Sequence, residues 1–348
     1  MTSTTPGPGT GLTAPFAVAR FRDGDDDRDG GGPVRLGLVA GERIRPLEEA
    51  DLGAPHLNAF LAAPDWDRLG RLVDADANTG TGTDTGADSA WRPLAEVTLT
   101  APVQPRQVIQ AGANYRTHVI DLVVAHAPKE DTRPEAEIRE DAARMMDERA
   151  ATGEPYFFIG LPAAVVGDDV PLVLPSYSEQ HDWELELAVV IGREGFRIAP
   201  EEAMDHVAGY TICNDITTRD RVFRADSKGL GADWYRAKNA PGFLPTGPFL
   251  VPAGFVEPDD LALTLDLNGE RMQDAVTSDL LFDLPALISA ASLNMPLLPG
   301  DLLLTGSPAG NGAHWGRLLR DGDVMEGSVQ GLGTQRVRCI AESAGEYR

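Results

Sequence analysis

His181-Asp182-Trp183-Glu184-Leu185-Glu186-Leu187-Ala188-Val189-Val190-Ile191-Gly192 is the stretch whose reading decides the fold. An apolar run that ends at a glycine reads as a β-strand. Side chains alternate across a strand, so Glu184 and Glu186 share one face while Trp183, Leu185 and Leu187 take the other. Ala188 and Val190 continue the face of the glutamates, which makes the strand read as buried on both sides. A lone Glu-x-Glu is most simply a solvated strand face; the apolar continuation argues against that here. Two carboxylates roughly 7 Å apart in such a strand repel unless a proton or cation lies between them. A second apolar run, Tyr210-Thr211-Ile212-Cys213-Asn214-Asp215, delivers a third acid just before Thr217-Thr218-Arg219-Asp220. Glu184, Glu186 and Asp215, with water in the remaining positions, suit Mg²⁺ or Mn²⁺ better than zinc, which takes His or Cys.

The chain has 348 residues, enough for a large core and two domains. Its 54 acidic against 30 basic residues give a formal charge of -24, which argues against a nucleic-acid or membrane partner. Cys213 and Cys339 are the only cysteines, so no disulfide framework is implied and a cytoplasmic, reducing compartment is expected. Residues 1–14 form a Gly/Pro/Thr-rich tail without the regions of a signal peptide, expected to be disordered. No apolar stretch is long enough to span a bilayer.

Residues 15–98 read as a small N-terminal α/β domain. Strands are expected at 16–21 and 34–39 around an acidic, glycine-rich turn at 23–32, then helices at 57–62 and 66–73 with Pro64-Asp65 as a start. The low-complexity run 74–90 reads as a loop. No chemistry is visible in this part.

Residues 99–348 read as a second, mostly β domain. Residues 108–118 give a strand, a glycine turn and the start of a helix. His118 and Asp121 then sit at i and i+3, close enough for the carboxylate to orient the imidazole. The simpler alternative is a solvated Asp121 and a satisfied His118. An insertion at 122–155 contains a charged helix at 131–150, either a lid over His118 or a surface or dimer-contact helix. Strands at 156–162 and 170–174 lead to the acid strand. A short helix follows at 200–207, and another at 217–224 would set Arg219 one turn beyond Asp215. Lys238 lies in an aromatic-flanked, turn-rich segment, where a lysine is ordinarily a solvated charge. Residues 261–267 and Asn268-Gly269 give a strand and a hairpin turn, and Asp283 caps a helix reaching Leu293. A strand at 300–305 runs into Gly306-Ser307-Pro308-Ala309-Gly310-Asn311-Gly312, a loop that lets backbone N–H groups approach an anion. His314 is within reach of the same pocket or has a structural role.

Taken together, Gly112-Ala113-Asn114-Tyr115-x-x-His118, Glu184-Leu185-Glu186, Asn214-Asp215-x-Thr217-x-Arg219, Lys238 and Leu304-Thr305-Gly306-Ser307-Pro308-Ala309-Gly310 resemble, in order and spacing, the fumarylacetoacetate hydrolase family, over roughly residues 97–342. The resemblance implies an α+β, mostly β fold built as a mixed-sheet roll, and a homodimer. It implies Mg²⁺, Mn²⁺ or Ca²⁺ on Glu184, Glu186 and Asp215. It also implies His118, Asp121 and Lys238 as catalytic residues, with Tyr115, Arg219, Lys238, Thr305 and Gly306 binding substrate. Two departures stand out. Asp121 replaces the glutamate of the family's water-activating dyad, and Leu161 stands before Pro162 where many members have a lysine. The implied activity is hydrolysis of a carbon–carbon bond in a 1,3-dicarbonyl 2-oxo acid, an acylpyruvate or fumarylacetoacetate-like compound. Alternatives are a 2-oxo acid decarboxylase, hydratase or isomerase on the same scaffold, and, in another class, a metal-binding protein that has lost catalysis.

Overall fold

In the computed structural model the acid-bearing stretch folds as two strands, His181–Asp182 and Leu185–Ile191, where the sequence reads as one. Side chains replace the missing ladder bonds at the break. Asp182 Oδ1 accepts from Trp183 N at 2.8 Å, Asn214 Oδ1 from Glu184 N at 2.9 Å and Gln273 Oε1 from Leu185 N at 3.1 Å. The structure describes residues 10–24, 32–78, 90–125, 127–128 and 131–343. Most of the 1–14 tail, residues 25–31 of the acidic turn at 23–32 and residues 79–89 of the low-complexity run at 74–90 therefore lie outside the described residues.

Leu185–Ile191 is central to a six-stranded sheet ordered Val251–Pro252, Val207–Asn214, Leu185–Ile191, Leu302–Leu304, Val108–Gly112, Tyr156–Gly160. Leu302–Leu304 pairs antiparallel with the acid strand and parallel with Val108–Gly112, so the sheet is mixed. Every residue from Leu185 to Ile191 is buried. The reason is that both faces are covered. Leu187, Val189 and Ile191 belong to one buried apolar cluster that also takes in Leu284, Leu287 and Ile288 of the helix Leu284–Ser292. Ala188 and Val190, on the other face, belong to a second buried cluster that includes Leu38, Phe60 and Leu61 of the N-terminal part. That part forms its own five-stranded sheet, Arg92–Pro93, Arg43–Leu47, Arg35–Ala40, Ala17–Asp23, Val97–Thr100, and Val18 joins Leu250 through backbone hydrogen bonds. A further five-stranded sheet, ordered Glu270–Val276, Ala262–Leu267, Val324–Val329, Gly333–Ala341 and Leu172–Leu174, completes an α+β architecture. Among the described residues no helix is long and apolar enough to cross a membrane.

Several local expectations change. The helix expected at 217–224 is a short strand, Thr217–Thr218, followed by one 3-10 turn, Arg219–Arg221. Two β-branched threonines favour extension, and pairing with His181–Asp182 captures it. The segment at 200–207 is a 3-10 helix, Pro200–His206. The helix at 66–73 continues to Asn78, into the stretch read as a loop. The charged helix at 131–150 is Glu135–Thr152, starting directly after Pro134, which stands at the N-cap with extended backbone.

One buried acid makes a stability prediction. Asp168 is 8% exposed and its Oδ1 has no hydrogen-bond partner. Burial, and then the neighbouring Asp169, push its carboxyl up to about 7. Its folded-state pKa thus lies above the unfolded value of about 3.9, so its contribution is full below that value and is lost as pH rises through 7. Asp168→Asn is expected to stabilise the fold by about 2–4 kcal/mol at pH 8 and progressively less toward pH 4. Urea unfolding at both pH values checks this; an equal shift at both contradicts it.

Candidate active site

The two acid-bearing strands are stitched at their ends. Asp215 N donates to Glu184 O at 2.8 Å, which brings the side chains of both strands to one place. One carboxylate oxygen each from Glu184, Glu186 and Asp215 lies within 4.8 Å of the other two. Lys238 reaches them from the short helix Trp234–Lys238, which Asp233 caps by accepting from Arg236 N. Its Nζ donates to Glu184 Oε2 at 2.7 Å, to Thr217 Oγ1 at 2.7 Å and to Asp215 Oδ2. The lysine that reads as a solvated charge in sequence is therefore buried among acids, its side chain 3% exposed. Arg219 spans two acids, with Nη2 at 2.7 Å from Glu184 Oε1 and Nε at 2.6 Å from Asp182 Oδ2.

The charges follow from these neighbours. Burial pushes the Glu184 carboxyl up, but Lys238 and Arg219 outweigh it and hold the group down to about 2. Burial and then the facing Asp215 raise Glu186 well above the ordinary carboxylate range. Burial also takes Asp215 up to about 6, against the pull of Lys238. Asp215 Oδ1 has no hydrogen-bond partner, and Glu186 Oε2 accepts from Gly306 N at 2.7 Å. Four acids, Asp182, Glu184, Glu186 and Asp215, face two cations, Arg219 and Lys238, so two formal negative charges remain. An all-oxygen donor set with that excess fits a divalent, oxygen-liganded cation.

His118 lies on the helix Arg116–Ala125. Burial lowers its pKa, and Glu184, Arg219, Asp121 and His314 all act on it, so its imidazole shares the field of the acid cluster. Asp121 accepts a 2.7 Å hydrogen bond from Arg139 of the helix Glu135–Thr152. Tyr115 is fully buried, its hydroxyl has no partner, and burial with Glu186 and Asp279 raises its pKa. Thr305 donates its hydroxyl to Leu187 O at 3.0 Å, within the sheet, so the group this loop aims at the acids is the N–H of Gly306. Gly306 has φ +98°, and a Cβ there would stand 2.9 Å from Asn114 Cβ. Asn114 in turn ties the loop down, donating from Nδ2 to Thr305 O at 2.9 Å and to Phe282 O at 3.1 Å.

Three contributors are absent from the sequence reading. Asp182 is fully buried; besides Trp183 N and Arg219, it accepts from Gly312 N at 2.5 Å and Ala313 N at 3.0 Å. Strand alternation places it on the face of Glu184, so its signal was present in the quoted stretch. Phe158 and Trp234 stack at 4.8 Å between ring centres, with Lys238 Nζ 5.2 Å and 5.7 Å from the two rings. Their aromatic character is visible in sequence, but their meeting joins the edge strand Tyr156–Gly160 to the lysine helix and needs the fold.

Residues 107–340 match the fumarylacetoacetate (FAA) hydrolase C-terminal family. A 2,4-didehydro-3-deoxy-L-rhamnonate hydrolase of Sphingomonas sp. is 39% identical over 187 residues, 53% of this chain and 64% of that protein. A mitochondrial oxaloacetate tautomerase of Xenopus laevis is 33% identical over 241 residues, 68% of this chain and 66% of that protein. Among solved structures, maleylpyruvate hydrolase from Sphingobium sp. SYK-6, in complex with manganese(II) and pyruvate, superposes with a TM-score of 0.66 at 27% identity, covering 94% of this chain and all (100%) of that one.

Proposed function

The chain belongs to the fumarylacetoacetate hydrolase family, and from that premise we propose that it is a divalent-metal-dependent hydrolase of a carbon–carbon bond in a 1,3-dicarbonyl 2-oxo acid. The observation that carries the reading is the meeting of Glu184, Glu186 and Asp215 within 4.8 Å, beside a buried lysine and in the electrostatic field that also reaches His118. Manganese and pyruvate in the Sphingobium structure support both the metal and the 2-oxo acid. Glu184, Glu186 and Asp215 would hold Mg²⁺ or Mn²⁺, whose Lewis acidity favours a 2-oxo-carboxylate and the negative charge that develops as the bond breaks.

The remaining steps belong to side chains. His118, kept neutral by burial, takes a proton from the water whose oxygen attacks the distal carbonyl carbon. The carbon–carbon bond breaks with its electron pair passing to the pyruvyl half, and a proton returns to that carbon. Lys238 and Arg219 hold the acid cluster in place and offer charge-assisted hydrogen bonds to a carboxylate or enolate oxygen. The Gly306 N–H and the Tyr115 hydroxyl complete the polar lining.

A second reading, tautomerisation or decarboxylation of a 2-oxo acid, is favoured by one contact. Asp121 Oδ1 accepts from Arg139, not from His118, and a proton relay alone needs no attacking water. The Xenopus relative is named for such a reaction. Incubation of the Mn²⁺-loaded protein with acylpyruvates and with oxaloacetate separates the two. Release of pyruvate with a carboxylic acid is the expected result. Carbon dioxide, or keto–enol exchange alone, moves the assignment to the second reading, and no turnover of any of them leaves only a metal-binding protein.

A further inference from the structure

Gln110 lies on the face of the central sheet that carries the acids. It pairs in register with Leu304, and Leu304 with Ala188, which is two residues along from Glu186 on the same side of its strand. The side chain is fully buried, and neither Oε1 nor Nε2 has a hydrogen-bond partner. A carboxamide left so is unfavourable unless something at the site uses it. Space has been made for it. Gly160, on the edge strand, has no Cβ, and one placed there would stand 2.6 Å from Gln110 Oε1 and 3.1 Å from Leu244 Cδ1. Asp215 Oδ1 is a further buried polar atom without a partner, while Oδ2 is drawn to Lys238. The Gln110 side chain lies within hydrogen-bonding reach of the Asp215 carboxylate.

We propose that Gln110 is a positioning residue for the metal centre, its Nε2 donating to Asp215 Oδ1 and so fixing the direction in which that carboxylate meets the ion. Oε1 rests against Gly160, which leaves the amide N–H₂ as the group facing the acids. A carboxylate oxygen has two lone pairs, so Oδ1 can accept this hydrogen bond and still serve as a ligand. Partners of this kind orient ligands, and their loss typically costs about 10–100-fold in metal affinity. The inference rests on reading Glu184, Glu186 and Asp215 as a metal site, and its test separates the two.

The test is titration of the metal-free protein with Mn²⁺, followed by the electron paramagnetic resonance of the free ion, for the parent, Gln110→Met and Gly160→Ala. Thermal melts of the metal-free forms accompany it. Gln110→Met keeps the volume and removes the donor. Its Mn²⁺ affinity is expected to fall about 10–100-fold. Its metal-free melting temperature should equal or exceed the parent's, because an apolar group replaces two unpartnered polar atoms. Gly160→Ala, which crowds the amide, is expected to weaken Mn²⁺ in the same direction. Mn²⁺ binding by Gln110→Met within twofold of the parent overturns the inference, as does a melt far below the parent's, which would make Gln110 structural. If the parent itself binds no Mn²⁺, the metal reading fails first, and this inference with it.

Discussion

Lys238→Met is expected to destabilise the metal-free protein by about 3–5 kcal/mol at pH 8 and to lower turnover by about 10²–10³. The ammonium touches Glu184, Asp215 and Thr217 at once. Methionine preserves much of the volume, so the loss is electrostatic: Glu184 keeps Arg219, but Asp215 is left buried beside Glu186 without a cation. Protonation relieves such a cluster. Asp215 already stands at about 6 with Lys238 present, and without the lysine it moves higher, so the deficit should shrink at pH 5. Mn²⁺ should restore part of the stability, since it supplies the missing positive charge. Urea unfolding at pH 8 and pH 5, with and without Mn²⁺, reads all three effects. A variant as stable as the parent at pH 8 would mean that Lys238 does not balance the acids.

His118→Ala is expected to lower turnover by about 10²–10⁴ while leaving Mn²⁺ affinity unchanged, because His118 is outside the donor set. Burial holds the imidazole below its ordinary value, so it is neutral at pH 7. A base works deprotonated; activity should therefore be lost only as pH falls through a value below 6.5, and this limb should disappear in the variant. Asp121→Asn makes an informative companion. Its Oδ1 accepts from Arg139, so its effect should be much smaller than that of His118→Ala. An equal loss in both would show that the carboxylate turns to His118 during the reaction.

The acid cluster was legible because it depends on strand alternation, a property of the backbone. Glu184 and Glu186 had to share a face; the meeting with Asp215 comes from the antiparallel pairing of Leu185–Ile191 with Val207–Asn214, which alternation alone does not give. What joins distant segments was not legible. Lys238 reads as a surface charge until the short helix carries it beneath Phe158 and Trp234. The pairing of Asp121 with Arg139 links two helices whose faces cannot be matched from spacing alone. The helix expected at 217–224 failed for a related reason. Thr217 and Thr218 pair with His181–Asp182, and that contact outweighs any local preference. Gln110 reads as a polar residue in an apolar strand, and only the sheet order shows that it looks toward the acids.

The central claim is that one divalent ion binds where Glu184, Glu186 and Asp215 meet. Calorimetric titration of Mn²⁺ into the metal-free protein tests it most directly. The account predicts one ion per chain, bound with a proton release that grows as pH falls toward about 6, because burial raises the Glu186 and Asp215 carboxyls above the ordinary range and the ion needs both ionised. Affinity should weaken as pH falls through about 6 and be largely lost in Glu186→Gln and Asp215→Asn. Binding that is absent, or that survives both substitutions unchanged, would contradict it.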